Sequence, residues 1–159
     1  IFYFNKFRKE QGLNEVVYNE LLEIAGQRQS DDTRDTMRLS HTGSDGSNAC
    51  ERIIDTGLQY YAGLNENGLA SPVFPEYAIE SWKNSPGHRR AMVFELHDSA
   101  ALGFALHTAE KTNSSSLNSP GYAKWFLMMA NTDEPQWAGQ QFAQITDDLT
   151  WCDVSIEYT

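Results

Sequence analysis

The chain has 159 residues, 40% of them hydrophobic and 21% charged, which is the composition of one globular domain with a buried core. Its formal net charge of −10 disfavours nucleic acids and anionic membranes as partners, because both bind to basic surfaces. No apolar run approaches the length that a transmembrane segment needs.

Helical patterns occupy the first half of the chain. A helix is predicted over residues 2–11 and ends at Gly12, because glycine favours helix C-termini. Asn14 has the chemistry of an N-cap, so a second helix is predicted from there to about Arg28. The polar stretch that follows, residues 29–36, is either a surface turn or a fraying helix end.

Two shorter helices are predicted further along the chain. Residues 51–56 form a helix that ends before Gly57, and Pro75 begins another, since proline is favoured in the first turn. That helix ends near Ser85, because Pro86 disfavours helical backbone in the residue before it. Between these helices, the segment LNENG places Glu66 between two asparagines in a predicted loop.

Strand patterns follow in the second half. Apolar residues alternate in ALGFALH, residues 101–107, and again in residues 152–158. The segment KWFLMMAN, residues 124–131, is apolar without a break, which is typical of a central strand covered on both faces.

Helices followed by strands favour an α+β fold. Because a strand that is apolar on both faces needs cover on both sides, we expect a three-layer α-β-α sandwich with a mostly antiparallel sheet. One domain is predicted over residues 1–159, in which residues 132–159 form a C-terminal extension with the final strand.

Four polar side chains are candidates for one site. His41 lies in the segment LSHTGSDGS, where an Asp-Gly turn would hold it in a defined place. Glu66 lies in the LNENG segment. Ser85 and His88 flank the proline-glycine break in WKNSPGHRRAM, where a histidine directly follows an interruption between helical patterns.

Several segments of the chain resemble, in order, those of the CAP superfamily of cysteine-rich secretory, antigen 5 and pathogenesis-related 1 proteins. They are NKFRKEQGL, NELLEIA, SHTGSDGS, ERIIDTGL, NEN, AIESWKNSPGHRRAM, ALGFALH and WFLMMAN. The combination of SHTGSDGS with W-x-x-S-P-G-H is specific and is most similar to the bacterial and fungal branch. The resemblance extends over residues 4–131 and implies an α-β-α sandwich with an open central cavity.

In many members of that superfamily, two histidines and two acidic residues line the cavity. His41 and His88 match the two histidines, and Glu66 matches the glutamate of a Gly-Glu-Asn motif. Asn65 replaces the glycine of that motif, and Ser85 stands at the second acidic position, which removes one carboxylate. The resemblance therefore implies a cavity or ligand-binding site lined by His41, Glu66, Ser85 and His88.

Three uses of this cavity stay open. The imidazoles of His41 and His88 with the carboxylate of Glu66 would suit Zn²⁺, with a water as the fourth ligand. Alternatively, these side chains bond to one another and close a polar cavity. Catalysis is disfavoured, because no G-x-S-x-G nucleophile elbow is present, and no catalytic residue is assigned. The other two histidines, His97 and His107, are predicted at the surface or at strand ends.

The resemblance implies a secreted, non-catalytic module that binds a small ligand, a metal ion or a protein partner, and some relatives bind lipids or sterols. One alternative is a structural subunit of an extracellular assembly or filament, built by self-association. A metal-assisted hydrolase is the third reading. No cofactor is required by any motif, and Zn²⁺ is the ion that would suit the site if it holds a metal.

Secretion would also bear on three further residues. Cys50 and Cys152 are the two cysteines of the chain, and in a secreted protein we expect them to form a disulfide. In the loop-entropy view such a bridge stabilises by roughly 3–5 kcal/mol, while two buried thiols are the alternative. Asn113 begins an Asn-Ser-Ser triplet, which is an acceptor pattern for N-glycosylation.

Overall fold

The computed structural model describes residues 1–58, 61–107 and 123–132. These residues form five helices and four strands, in the order α1 (Phe2–Glu10), β1 (Val17–Tyr18), α2 (Glu20–Thr36), α3 (Ala49–Asp55), β2 (Ala62–Ser71), α4 (Pro75–Lys83), α5 (Pro86–Met92), β3 (Ser99–Leu106) and β4 (Ala123–Asn131).

The four strands form one sheet in the order β1-β3-β4-β2. β4 pairs antiparallel with both β3 and β2, and Leu127 lies opposite Leu102 on one side and Asn67 on the other. β1 adds a short parallel pairing to β3 at the far edge. The predicted α+β class, the mostly antiparallel sheet and the central position of β4 are therefore confirmed.

Side chains of β4 alternate between two separate cores. Trp125, Leu127 and Met129 pack with α1, α4 and α5 on one face of the sheet. Met128 and Ala130 pack with α2 and α3 on the other face. Burial of each large apolar side chain contributes about 1.5–3 kcal/mol to the stability of the fold. Covering both faces of β4 with helices is therefore favourable. The predicted three-layer sandwich is confirmed.

The second helix begins later than its sequence pattern predicts. Asn19, not Asn14, is its N-cap, and the Asn19 side-chain oxygen accepts hydrogen bonds from the backbone N–H groups of Leu21 and Leu22 at 2.9 and 3.1 Å. The preceding residues are extended because β1 pairs with β3, a strand far away in the chain. Asn14 was the wrong N-cap for this long-range reason.

α2 also continues through residues 29–36, which are neither a turn nor a frayed end. Gln29, Ser30 and Thr33 lie on its buried face and are at most 1% exposed. On the solvent side, Arg34 bonds to Asp31 at 3.2 Å, one turn earlier in the helix. The buried face of this stretch is itself polar, so its composition does not show that the segment packs against the rest of the domain.

Glu66 lies in a strand rather than in the predicted loop. β2 pairs antiparallel with β4, and Glu66 is opposite Met128. Asn65, Glu66 and Asn67 are nearly or fully buried. Because these successive buried residues are all polar, the stretch lacks the alternation of apolar and polar residues by which strands are predicted.

The proline-glycine break separates two helices, as expected. α4 ends at Lys83, and α5 begins at Pro86 with Ser85 as its N-cap. Trp82, near the end of α4, is buried and donates from Nε1 to the carbonyl oxygen of Gly68 at 3.1 Å. This bond holds the end of α4, and with it the start of α5, against β2.

Arg8 joins α1 to the segment that leads into β3. Its guanidinium is fully buried and meets carbonyl oxygens rather than a carboxylate. Charged donors form stronger hydrogen bonds than neutral ones, which offsets part of the cost of removing the charge from water. The acceptors, at 2.9–3.3 Å, are the backbone oxygens of Asn14, Met92, Phe94 and His97.

His97 is buried, so its predicted surface position was wrong. Its Nε2 donates to the carbonyl oxygen of Gly63 at 2.8 Å, which gives the neutral ring a fixed tautomer. Burial lowers the pKa of His97 to about 4; the nearby charge of Arg8 acts in the same direction, and the Gly63 bond acts against it. His107, directly after β3, is buried as well.

We expect the free energy of unfolding to fall by up to about 3 kcal/mol as the pH drops from 6.5 to about 4, because of His97. In this window the unfolded chain binds a proton at His97 and the folded chain does not, so acid favours unfolding. Urea titrations at a series of pH values measure the slope. His97→Gln keeps an amide donor for Gly63 and should give a shallower profile; identical profiles would contradict the assignment.

Several predictions concern residues outside the described ranges. They are the extension and final strand in residues 133–159, the glycosylation at Asn113 and the disulfide partner Cys152. Among the helices of the described ranges, none has both the length and the apolar character that crossing a bilayer requires.

Candidate functional site

The candidate site lies beside β2, at one edge of the described sheet. Glu66 projects from β2 towards α3 and the loop between α2 and α3, which carries His41. His88 belongs to the first turn of α5, which packs in the opposite layer, and Ser85 precedes that helix as its N-cap. Residues from both helical layers therefore meet next to one strand.

Glu66 is the most constrained residue of the site. It is fully buried, and both carboxylate oxygens have partners: Oε1 lies 2.7 Å from Nδ1 of His41, and Oε2 lies 2.7 Å from Nη2 of Arg52. A carboxylate paired with a guanidinium is an acceptor only, so Nδ1 of His41 donates. The contact fixes the tautomer and the orientation of the His41 ring.

Arg52 holds the loop and the carboxylate together. Its side chain is fully buried and also donates to the carbonyl oxygens of Ser47 at 2.8 Å and His41 at 3.2 Å. One guanidinium thus contacts the loop that carries His41 at two points, and it also contacts the acid that bonds to the ring of His41. Removing either member of a buried ion pair leaves an uncompensated charge, which is strongly destabilising.

Reasoning from the sequence missed Arg52. A signal was present, because Arg52 lies between Cys50 and Ile53 on a short helix, and those two residues are fully buried. An arginine on the apolar face of a helix needs an acceptor inside the protein. That acceptor, Glu66, lies on a different element and could not be named from the pattern of α3 alone.

His88 is held by a different set of contacts. Its Nδ1 lies 2.8 Å from Oγ of Ser85, and its backbone oxygen accepts from Nδ2 of Asn67 on β2 at 3.2 Å. Burial lowers the pKa of His88, and the neighbouring His41 lowers it further. Both effects favour the neutral form of the ring. Glu66 and its neighbour Asn67 contact His41 and His88 respectively, so β2 brings the two histidines to one place although 47 residues separate them in the sequence.

The sequence matches a known family over most of its length. The model of CAP, the cysteine-rich secretory protein family, matches residues 1–127. The chain belongs to the CAP family. A search of curated proteins gave no match.

Solved structures with the same fold support the CAP assignment. An outer surface protein from Borrelia burgdorferi superposes with a TM-score of 0.63 at 18% identity, over 83% of this chain and 90% of that one. An extracellular SCP-domain protein from Bacillus anthracis str. Ames gives a TM-score of 0.62 at 17% identity, over 80% of this chain and 37% of that one. At these identities the similarity concerns the fold alone.

Within the CAP domain, the four predicted site residues form two contacting pairs. His41 contacts Glu66, and Ser85 contacts His88. The two pairs are linked by the electrostatic effect of His41 on His88. Arg52 is the member that the sequence did not reveal.

A metal ion at this site of the CAP domain would be held by the imidazoles rather than by the carboxylate. Both oxygens of Glu66 are taken by His41 and Arg52, so Glu66 could become a ligand only by giving up a partner. A carboxylate behind a histidine is a common way to orient a metal-ligating ring. In residues 1–58, 61–107 and 123–132, no three His, Cys, Asp or Glu side chains are grouped to hold a metal ion.

Proposed function

We propose that this CAP domain is a non-catalytic extracellular module that binds a small ligand, a metal ion or a protein partner beside β2. His41, Glu66, Ser85 and His88 would line the site. The observation that carries the proposal is that adjacent residues of β2 contact histidines from opposite layers: Glu66 contacts the ring of His41, and Asn67 contacts the backbone of His88. The Nδ1 of each histidine also contacts a polar side chain, Glu66 for His41 and Ser85 for His88.

The arrangement favours binding because it is organised before any ligand arrives. Glu66 and Arg52 fix His41, while Ser85 and Asn67 fix the ring and backbone of His88. A site whose side chains are already ordered loses less conformational entropy on binding. Both rings are partly exposed, so a ligand could reach them from solvent.

An extracellular location belongs to the same proposal. Of the two solved structures compared above, the first is an outer surface protein and the second an extracellular protein. The disulfide between Cys50 and Cys152 would fit that location. Cys50 is fully buried in α3, two residues before Arg52, where a bridge would help to hold the helix that positions Glu66.

If a metal binds here, Nε2 of His41 and Nε2 of His88 would be its protein ligands, and Zn²⁺ suits two neutral imidazoles. We expect the chain purified without chelator to bind about one Zn²⁺ with micromolar or weaker affinity, because two protein ligands are fewer than the three or four of most zinc sites. Calorimetry and elemental analysis measure affinity and content. His41→Ala and His88→Ala should each abolish binding.

Ser85→Ala serves as the matched control, because it leaves both imidazoles in place and removes only the hydroxyl at His88 Nδ1. It should retain zinc with a reduced affinity. Equal zinc content in the wild type and both histidine variants would place the metal elsewhere and remove the metal from this proposal. The proposed function would then be limited to binding a small ligand or a protein partner.

A further inference from the structure

A second polar pocket lies between α2 and the loop that follows His41. It has a volume of about 230 Å³ and shares no lining residue with the site beside β2. Its lining residues are Arg28, Gln29, Asp32, Gly43, Asp45 and Ser47.

Oxygen atoms from three residues converge at Gly43. Oδ1 of Asp45, Oγ of Ser47 and Oε1 of Gln29 lie 2.7, 2.8 and 3.4 Å from the point that a β-carbon on Gly43 would occupy. Only the absence of that carbon lets the three oxygens approach the loop backbone so closely. The position is therefore a cradle of oxygen atoms, which a single methyl group would fill.

Gln29 supplies an acceptor that has no partner among the described residues. The residue is 1% exposed, and its Nε2 donates to the carbonyl oxygen of Ser40 at 2.7 Å, which decides the orientation of the amide. Oε1 consequently faces Gly43 and the pocket, and the part of the chain that the structure describes offers it no hydrogen-bond partner. A buried acceptor of this kind calls for a donor or a cation.

The two carboxylates of the pocket are held in place by the loop. Asp45 Oδ1 accepts from the backbone N–H of Ser47 at 2.9 Å, and Asp32 accepts from both the backbone N–H and the hydroxyl of Ser44. The hydroxyl of Ser47 and the guanidinium of Arg28 lower the pKa of Asp45 far below its ordinary value. Asp45 is thus ionised throughout the physiological range.

We propose that this pocket binds Ca²⁺, with Asp32, Asp45, Gln29 and Ser47 as the residues that supply oxygen ligands. Carboxylate, amide and hydroxyl oxygens are the donors that this hard cation takes, and its flexible coordination tolerates water in the remaining positions. Two carboxylates face one guanidinium among the lining side chains, so the pocket favours added positive charge.

Arg28 competes with the cation in this arrangement. Its Nη2 bonds to Asp45 at 2.7 Å, and its Nη1 bonds to Asp55 at 2.7 Å outside the pocket. The Arg28 side chain is 38% exposed, so it can keep Asp55 and release Asp45. Arg28 therefore weakens Ca²⁺ binding, whereas it would strengthen the binding of an anion.

Calorimetric titration of Ca²⁺ into the chelator-treated full chain tests the proposal. We expect one site with a Kd of about 10⁻⁴ to 10⁻³ M, as in other extracellular modules. Asp45→Asn and Gln29→Leu should each weaken binding by about tenfold or more. Asp45→Asn removes the charge of a ligand, and Gln29→Leu removes an oxygen ligand. Gly43→Ala should also weaken it, because the methyl group enters the cradle. Arg28→Gln should strengthen it.

Asp55→Asn is the matched control, because it changes a carboxylate that contacts Arg28 but lies outside the pocket. Its affinity for Ca²⁺ should be equal to or lower than that of the wild type. Without Asp55, Arg28 is less readily released from Asp45 and competes more strongly with the cation. His41→Ala and His88→Ala should leave Ca²⁺ binding unchanged, which separates this pocket from the site beside β2. The proposal is overturned by no heat and no change in Tm at millimolar Ca²⁺, by binding that survives Asp45→Asn and Gln29→Leu, or by weaker binding in Arg28→Gln.

Discussion

Gly103→Ala is expected to lower the free energy of unfolding by about 3 kcal/mol or more. A β-carbon at this position would overlap the carbonyl carbon and oxygen of Gly26 and lie 2.6 Å from the backbone nitrogen of Gln27. All three are main-chain atoms of α2, so no side-chain rotation relieves the clash. Urea unfolding followed by tryptophan fluorescence measures the loss.

The close approach matters because α2 completes the hydrogen bonding of β3. β1 covers β3 only at Ser99 and Ala100. Further along, the side chain of Gln27 donates to the carbonyl oxygen of Phe104 at 2.7 Å and accepts from its backbone N–H at 3.0 Å. The side-chain amide of Gln27 thus makes the two backbone hydrogen bonds that a neighbouring strand would make to Phe104. Moving α2 away from Gly103 breaks both bonds and opens the core around Met128.

Gly68→Ala is the matched control for this prediction. The three atoms nearest to its β-carbon would all belong to the ring of Phe126, with Cε1 at 2.9 Å, and a ring can shift where a backbone cannot. We expect a loss of about 1 kcal/mol, which is ordinary for a single substitution. If the two variants unfold at the same urea concentration with equal slopes, α2 and β3 are not in backbone contact.

The sequence was sufficient where burial alone decides the structure. β4 is apolar at nearly every position, and both of its faces are covered in the structure. The helix stops at Gly12 and before Pro86 follow from backbone conformations that glycine and proline favour or forbid. In these places the local signal and the tertiary packing agree.

The sequence was insufficient where a distant element decides. Asn14 and Asn19 are equally good N-caps by composition, and only the pairing of β1 with β3 selects Asn19. Glu66 sits in a polar stretch that resembles a loop until Arg52 and His41 are brought to its two oxygens. The family resemblance predicts the four site residues, but the pairing of Arg52 with Glu66 that fixes them depends on two distant elements and could not be predicted.

Arg52→Met is expected to lower the free energy of unfolding by about 3–5 kcal/mol, because it leaves Glu66 as an uncompensated buried charge. The same change removes the donors to Ser47 and His41, so the loop that carries His41 loses its anchor. Urea unfolding at pH 7 measures the loss. Arg34→Met, which removes an exposed pair with Asp31, should cost less than about 1 kcal/mol under the same conditions.

The double variant Arg52→Met, Glu66→Gln separates the buried charge from the lost contacts. Glutamine has nearly the shape of glutamate, and its oxygen can still accept from Nδ1 of His41. If the unpaired charge is the main cost, adding Glu66→Gln to Arg52→Met should recover stability, even though Glu66→Gln alone destabilises by orphaning Arg52. Two losses that simply add would mean that the pair is not coupled. Coupling would instead show that Arg52 stabilises the domain through Glu66, the acid on which the orientation of His41, and any ligand held by that ring, depends.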